Sequence, residues 1–359
     1  MVESLRAVAA LSVFLFHTGI SDHWGYLAQL NAGLTIFFLI SGFLLYRGFA
    51  RARLERRPGP ALLPYAARRL LRIVPAYWAA LLIVALVLGR DEILGGDWLA
   101  YFGFAQVYDP EIQFSGLSQA WTLNVEIAFY ALLPLWALAL SRVPFRGTRG
   151  FIGTELVALA ALFAFSAGYK LATGADGLFD TAEHFNPVLP SYLDQFGLGM
   201  ALAVVSVSGS SNAAMSGERR TWVWWLVALA LFAVAARILV TTPSGETGPA
   251  RLFFEHELNG LAALCLLVPA VFPARERDPV RRVFLHPMVL WLGLVSYGLY
   301  IWHGPILHEL DDWPGDGPAA YLVRTGLAFL ITTGVAAASW YLLEKRAIRL
   351  GETLRGRRR

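Results

Sequence analysis

Cysteine and charge are both scarce in this chain of 359 residues. The single cysteine, Cys265, excludes an intrachain disulfide and a thiolate metal cluster. Only 16% of the residues are charged, against about 25% in an ordinary soluble domain. No polar stretch is long enough to form a separate soluble domain. No small-x-small cleavage site follows the first apolar run before Gly19-Ile-Ser-Asp22, so that run reads as a retained helix rather than a signal peptide. Matching inverted halves, a mark of many transporters, are not visible.

What is present is hydrophobic: 57% of the chain, arranged as apolar runs of about 20 residues bounded by polar or basic stretches. Such runs span bilayers as helices rather than as strands of a barrel. The fold class expected is therefore all-α, a polytopic membrane helix bundle. Ten transmembrane helices are predicted at about 4–20, 33–50, 73–89, 120–140, 151–170, 189–207, 222–241, 255–273, 287–306 and 319–343.

Basic residues sort by loop. The connections around 47–72, 142–149, 219–220, 275–282 and 345–359 hold 24 of the 30 Lys and Arg residues. The alternate loops hold only Arg90 and Arg251, beside acids such as Asp91, Glu92, Asp109, Glu111, Asp180, Glu183, Asp311 and Asp312. Both termini are thus expected in the cytoplasm. The same rule explains the net charge of +4 without nucleic acid as a partner; the partner implied is the lipid bilayer. Residues 90–119 form the longest outer connection. With Trp98, Tyr101, Phe102, Phe104 and Tyr108 it is expected along the membrane interface.

Ionisable groups inside spans are costly and commonly functional. Arg6 and His17 both sit on the first. Eleven residues at about 100° each bring them to one helical stripe, about 16 Å apart. His17 suits a general base, its ordinary pKa being about 6.5; a histidine hydrogen-bonded to a neighbouring helix fits the same position. Glu126, early in a span entering from outside, falls at the depth inferred for His17 and could orient the imidazole; it could also pair with a nearby cation or a helix dipole. Near the outer end of the ninth span, His303 and Tyr300 suit either an acceptor pocket or an aromatic anchor. Ser41-Gly42 suits close helix packing. Arg69 and Arg72, three apart on one face, would with Arg6 suit an anionic ligand carrying several phosphates; taken alone, they are better accounted for by topology and anionic lipid head groups.

Five ordered motifs resemble the acyltransferase-3 family of integral membrane acyltransferases. Arg6 to His17 is similar to its Arg-x10-His. Gly33 with Ile36-Phe-Phe-Leu-Ile-Ser41-Gly42-Phe43 is similar to its second-helix motif. Arg69-x-x-Arg72-Ile-x-Pro75 looks like the start of its third helix. Trp121-Thr-Leu-x-Val-Glu126-x-x-Phe-Tyr130 resembles its Trp-Ser-Leu-x-Val-Glu segment. Ser296-Tyr-x-Leu-Tyr-x-Trp-His303-x-Pro305 resembles its pattern near the end. Departures fall at Leu34, Thr35, Ile127, Ala128, Gln195 and Glu344-Lys-Arg346, positions that bear on acceptor choice.

The resemblance implies a membrane acyltransferase domain over 1–350, followed by a basic cytoplasmic tail, 351–359. It implies transfer of an acyl group, acetyl by default, from cytoplasmic acyl-CoA to a sugar hydroxyl of an envelope glycan or a glycosylated small molecule. His17 would be the base, or a nucleophile passing through an acyl-histidine, and Glu126 its catalytic partner. Arg6, Arg69 and Arg72 would bind the donor. Ser41, Trp121, Tyr130, Tyr300 and His303 would form the acceptor pocket. No metal and no resident cofactor are expected, acyl-CoA being a co-substrate. The implied location is a bacterial cytoplasmic membrane. The competing reading is a proton-coupled transporter or flippase of an anionic or acylated solute.

Overall fold

The structure, a computed structural model, describes residues 1–20, 25–174, 186–209, 221–240, 249–272, 279–311 and 317–356. The acids Asp180, Glu183 and Asp312, the loop arginines 219–220, 275 and 277, and the tail residues 357–359 lie outside them. The described residues are helical throughout their ordered elements, with no strand among them. Among the described residues, six helices are long and apolar enough to cross a membrane: 29–54, 62–87, 118–141, 147–173, 251–271 and 318–351. The protein is an all-α polytopic membrane helix bundle.

It divides into two compact units. The first contains α1 (Val2–Leu15), α2 (Gly33–Leu54), the second half of α5 (Trp121–Ser141), α6 (Gly147–Gly174), α7 (Leu193–Val207), α8 (Thr221–Val240), α9 (Pro249–Val271), α10 (Pro279–Phe284) and most of α11 (Pro287–Leu294). One close seam joins α2 and α7. A Cβ on Gly42 would lie 2.2 Å from the Phe196 carbonyl oxygen, and one on Gly199 would lie 2.1 Å from that of Leu39. Glycine at both positions lets the two backbones touch, the small-residue packing expected of Ser41-Gly42.

The second unit contains His17–Gly19, α3 (Leu62–Val87), the connection bearing α4 (Trp98–Phe102), the first half of α5, α12 (Ser296–Glu309), α13 (Pro318–Ser339) and α14 (Lys345–Gly356). Here helix α3 begins at Leu62, not near 73 as predicted. A hydropathy window discounts Arg68, Arg69 and Arg72, yet arginine is a good helix former, and Pro64 falls in the first turn, where its missing N–H has no intrahelical partner to lose. The arginines are therefore inside the helix, two to three turns from its start.

Three further details differ from the sequence reading. The α-helical count that put Arg6 and His17 on one stripe stops at Leu15, because Phe16–Ile20 form a π turn with Gly19 at φ 75°. The predicted ninth span is two helices meeting at Val295. Part of the aromatic outer connection folds inward: Tyr101 is buried, its carbonyl accepting the Tyr77 hydroxyl at 2.9 Å, and Phe104 stacks on Tyr77. Trp98 and Tyr108 are exposed.

Candidate functional site

Most of the residues singled out from the sequence lie in the second unit. His17 occupies the π turn and is exposed, accessible to a reactant. The turn is tied at Thr18 to α13 by two contacts: the hydroxyls of Thr18 and Tyr321 are 2.8 Å apart, and Arg324 donates to the Thr18 carbonyl at 3.3 Å. Gly19 accommodates the positive φ that lets the chain leave the helix there.

His303, fully buried on α12, meets His17: its Nε2 is 3.3 Å from His17 Nδ1, with ring centroids 4.9 Å apart. Its other nitrogen, Nδ1, is 3.2 Å from the Leu299 carbonyl oxygen. A carbonyl only accepts, so Nδ1 of His303 carries the hydrogen. In the neutral pair Nε2 of His303 is then the acceptor and Nδ1 of His17 the donor. That assignment makes Nε2 the basic nitrogen of His17.

Beside this pair the Tyr300 ring lies 5.7 Å from that of His303. The Tyr300 hydroxyl donates to the Gln119 carbonyl at 2.9 Å and sits 2.6 Å from the Thr122 hydroxyl. Trp121, buried, opens α5 one residue earlier. Thr122, Glu126 and Tyr130, spaced by four, share one face of α5. Glu126 is half-buried and accepts the Tyr130 hydroxyl at 2.6 Å. The next turn is reached from α3: Tyr65 donates to the Tyr130 carbonyl at 3.2 Å, and the charges of Arg69 and Arg72 act on Tyr130, that of Arg69 also on Glu126. Arg69 and Arg72 are half-buried, and Arg69 Nε has no hydrogen-bond partner among the described residues. One stripe thus runs from an imidazole pair to a guanidinium pair.

Arg6 and Ser41 belong to the first unit. Arg6 is half-buried, 3.9 Å from the Glu3 carboxylate and over the Phe37 ring at 5.8 Å. Ser41 is half-buried on α2.

The sequence reading missed a charged cluster in the first unit. Lys170 on α6, fully buried, donates to Asp194 on α7 and, at 2.7 Å, to Glu257 on α9. His256 Nε2 donates to Asp194 at 3.0 Å, while its Nδ1 lies 3.3 Å from the Gln195 amide nitrogen. Asp194, His256 and Glu257 present ligand atoms within 4.8 Å of one another, a spacing that would suit a metal ion. The Lys170 ammonium already supplies the positive charge between two of them, and protein hydrogen bonds take up their donor atoms. The signal was in the sequence: Lys170 is one of only two lysines and lies inside an apolar run.

Comparison with known proteins agrees with the motif order. Residues 2–343 match the acyltransferase-domain family. Nodulation protein 10 of Rhizobium leguminosarum bv. viciae is 26% identical over 99% of this chain and 95% of its own length. Peptidoglycan O-acetyltransferase OatA of Listeria monocytogenes is 23% identical over 85% of this chain, but the match spans only 49% of that protein. No solved structure matches.

Proposed function

Because the chain belongs to the acyltransferase-3 family, we propose that this multi-pass membrane acyltransferase takes its acyl group, acetyl in the simplest case, from cytoplasmic acyl-CoA and delivers it to a sugar hydroxyl of an envelope glycan or glycosylated small molecule. The proposed setting is a bacterial cytoplasmic membrane crossed ten times, with both termini in the cytoplasm.

The observation that carries the reading is the imidazole pair, in which His303 fixes the tautomer of an accessible His17. His17 Nε2 takes the proton of the acceptor hydroxyl as its oxygen attacks the thioester carbonyl. The tetrahedral intermediate collapses, the carbon–sulfur bond breaks, and the proton on His17 passes to the departing CoA thiolate. Protons and electrons balance, and His17 ends neutral. General base catalysis of this kind contributes about 10²–10⁴ in rate. Glu126 supplies negative charge along the same face of α5 to favour the imidazolium of the transition state. Arg69 and Arg72 hold the phosphates of the donor, for which a fork of N–H groups and a fixed charge are suited.

The test is acetyl-CoA binding and turnover by the purified full chain in lipid nanodiscs, beside His17→Ala and an Arg69→Ala/Arg72→Ala double variant. The expected result is that His17→Ala binds donor but transfers nothing, while the double variant binds weakly. A folded protein that binds no acyl-CoA overturns the donor assignment, and retained turnover in His17→Ala overturns the base.

A further inference from the structure

A cavity of about 320 Å³ opens in the second unit between the end of α3, the outer connection and the last turns of α12. Its size is at the lower end of the range for small-molecule sites, about 300–1,000 Å³. Arg90, Glu92, Phe114, Gln119, His308 and Glu309 are among its lining residues. Two carboxylates, an amide, an imidazole and a guanidinium around one aromatic ring make a surface for a compact ligand with many hydroxyls and one apolar face. A long acyl chain would leave most of these polar groups without partners.

The inner wall connects with the imidazole pair. Gly304, which lines the cavity, directly follows His303. A Cβ on Gly304 would come within 2.6 Å of the Gln119 side-chain oxygen, so the bare backbone of α12 is what admits that side chain. Gln119 donates to the Ile301 carbonyl at 2.6 Å, and its own carbonyl accepts the hydroxyls of Tyr300 and Thr122 at 2.9 and 3.1 Å. A cavity-lining residue is therefore bonded on both sides to the segment that carries His303.

We propose that this cavity is the vestibule for the acceptor, that it takes a single sugar unit, and that it selects neutral or amino sugars over uronic acids. The inference rests on the acyl-transfer reading above and adds the acceptor's place and its charge. Glu92 and Glu309 outnumber Arg90 in fixed charge, so a sugar carboxylate entering here meets net repulsion while an ammonium meets attraction. Glu92, Gln119 and Glu309 bind ring hydroxyls, and Phe114 covers a C–H face.

The experiment uses the full chain in nanodiscs and three probes: methyl glucoside, methyl glucosaminide and methyl glucuronide. Saturation-transfer NMR gives their affinities, and acetyl-CoA binding is measured on the same samples. Glu92 and Glu309 are exposed, Glu92 facing Arg90 only at 3.9 Å, so a Glu92→Lys/Glu309→Lys variant keeps its fold. Wild type should prefer the glucoside and glucosaminide over the glucuronide by about tenfold, and the variant should reverse that order with acetyl-CoA binding unchanged. Phe114→Ala should weaken all three alike. An unchanged order in the charge variant, or no glycoside binding to wild type that binds acetyl-CoA, overturns the vestibule and leaves acyl transfer standing. Glycoside binding without acetyl-CoA binding overturns the donor assignment instead.

Discussion

His303 accepts a hydrogen bond at Nε2 from His17 Nδ1, across 3.3 Å and 286 residues of chain, and is itself fixed by the Leu299 carbonyl. An imidazole so held behaves as a positioning residue for the exposed histidine. Glu126, on the same face of α5 as Thr122, accepts the Tyr130 hydroxyl at 2.6 Å.

His303→Ala should lower kcat by about one to two orders of magnitude with little change in donor KM, since it removes orientation and leaves the base. His303→Gln places an amide oxygen near the position of Nε2 and should recover part of the loss. Steady-state kinetics on matched preparations read the difference. Equal kcat in the two variants would count against a positioning role.

Tyr300→Phe should cost about 1 kcal/mol of stability, because its hydroxyl donates to the Gln119 carbonyl inside the protein. Thr122 keeps its own bond to that carbonyl, so the variant should remain folded. Thermal unfolding followed by intrinsic fluorescence would show the small downward shift.

Lys170→Met should be severe. It leaves the buried Asp194 and the half-buried Glu257 without their ammonium, a defect of about 3–5 kcal/mol. The amount of monodisperse protein after detergent extraction should collapse. Adding Asp194→Asn and Glu257→Gln to Lys170→Met should recover folded protein, which a simple loss of side-chain volume would not allow.

Gly42→Ala and Gly199→Ala should both disrupt the α2–α7 seam, since each new Cβ would fall about 2 Å from a carbonyl oxygen that cannot swing away. Gly153→Ala and Gly334→Ala are the comparison, each adding a methyl group where nothing lies within 4 Å. Thermal stability should fall sharply for the first pair and stay level or rise for the second.

Apolar run length made the helices legible, since about twenty uncharged residues permit little else in a bilayer. The start of α3 was not legible, because Arg68, Arg69 and Arg72 lower hydropathy without breaking a helix. The π turn at Phe16–Ile20 left no mark beyond Gly19. At the site, Arg69, Arg72, Glu126, Tyr130, Tyr300 and His303 were each visible as polar groups in apolar surroundings, and the structure gathers all six into one unit with His17. The pairing of His17 with His303 was not, because residues 286 positions apart carry no shared periodicity. Gln119 was invisible for another reason: its part is played largely by a backbone carbonyl, which every residue has.

Lys170 also constrains how the protein is made. When α6 first reaches the bilayer during synthesis, neither α7 nor α9 has been translated, and Lys170, four residues from the end of the helix, has neither carboxylate to meet. Its partners Asp194 and Glu257 arrive 24 and 87 residues later. Until then α6 depends on the insertion machinery or on snorkelling toward the membrane surface, and it settles only when the ribosome has delivered the helix that brings Glu257.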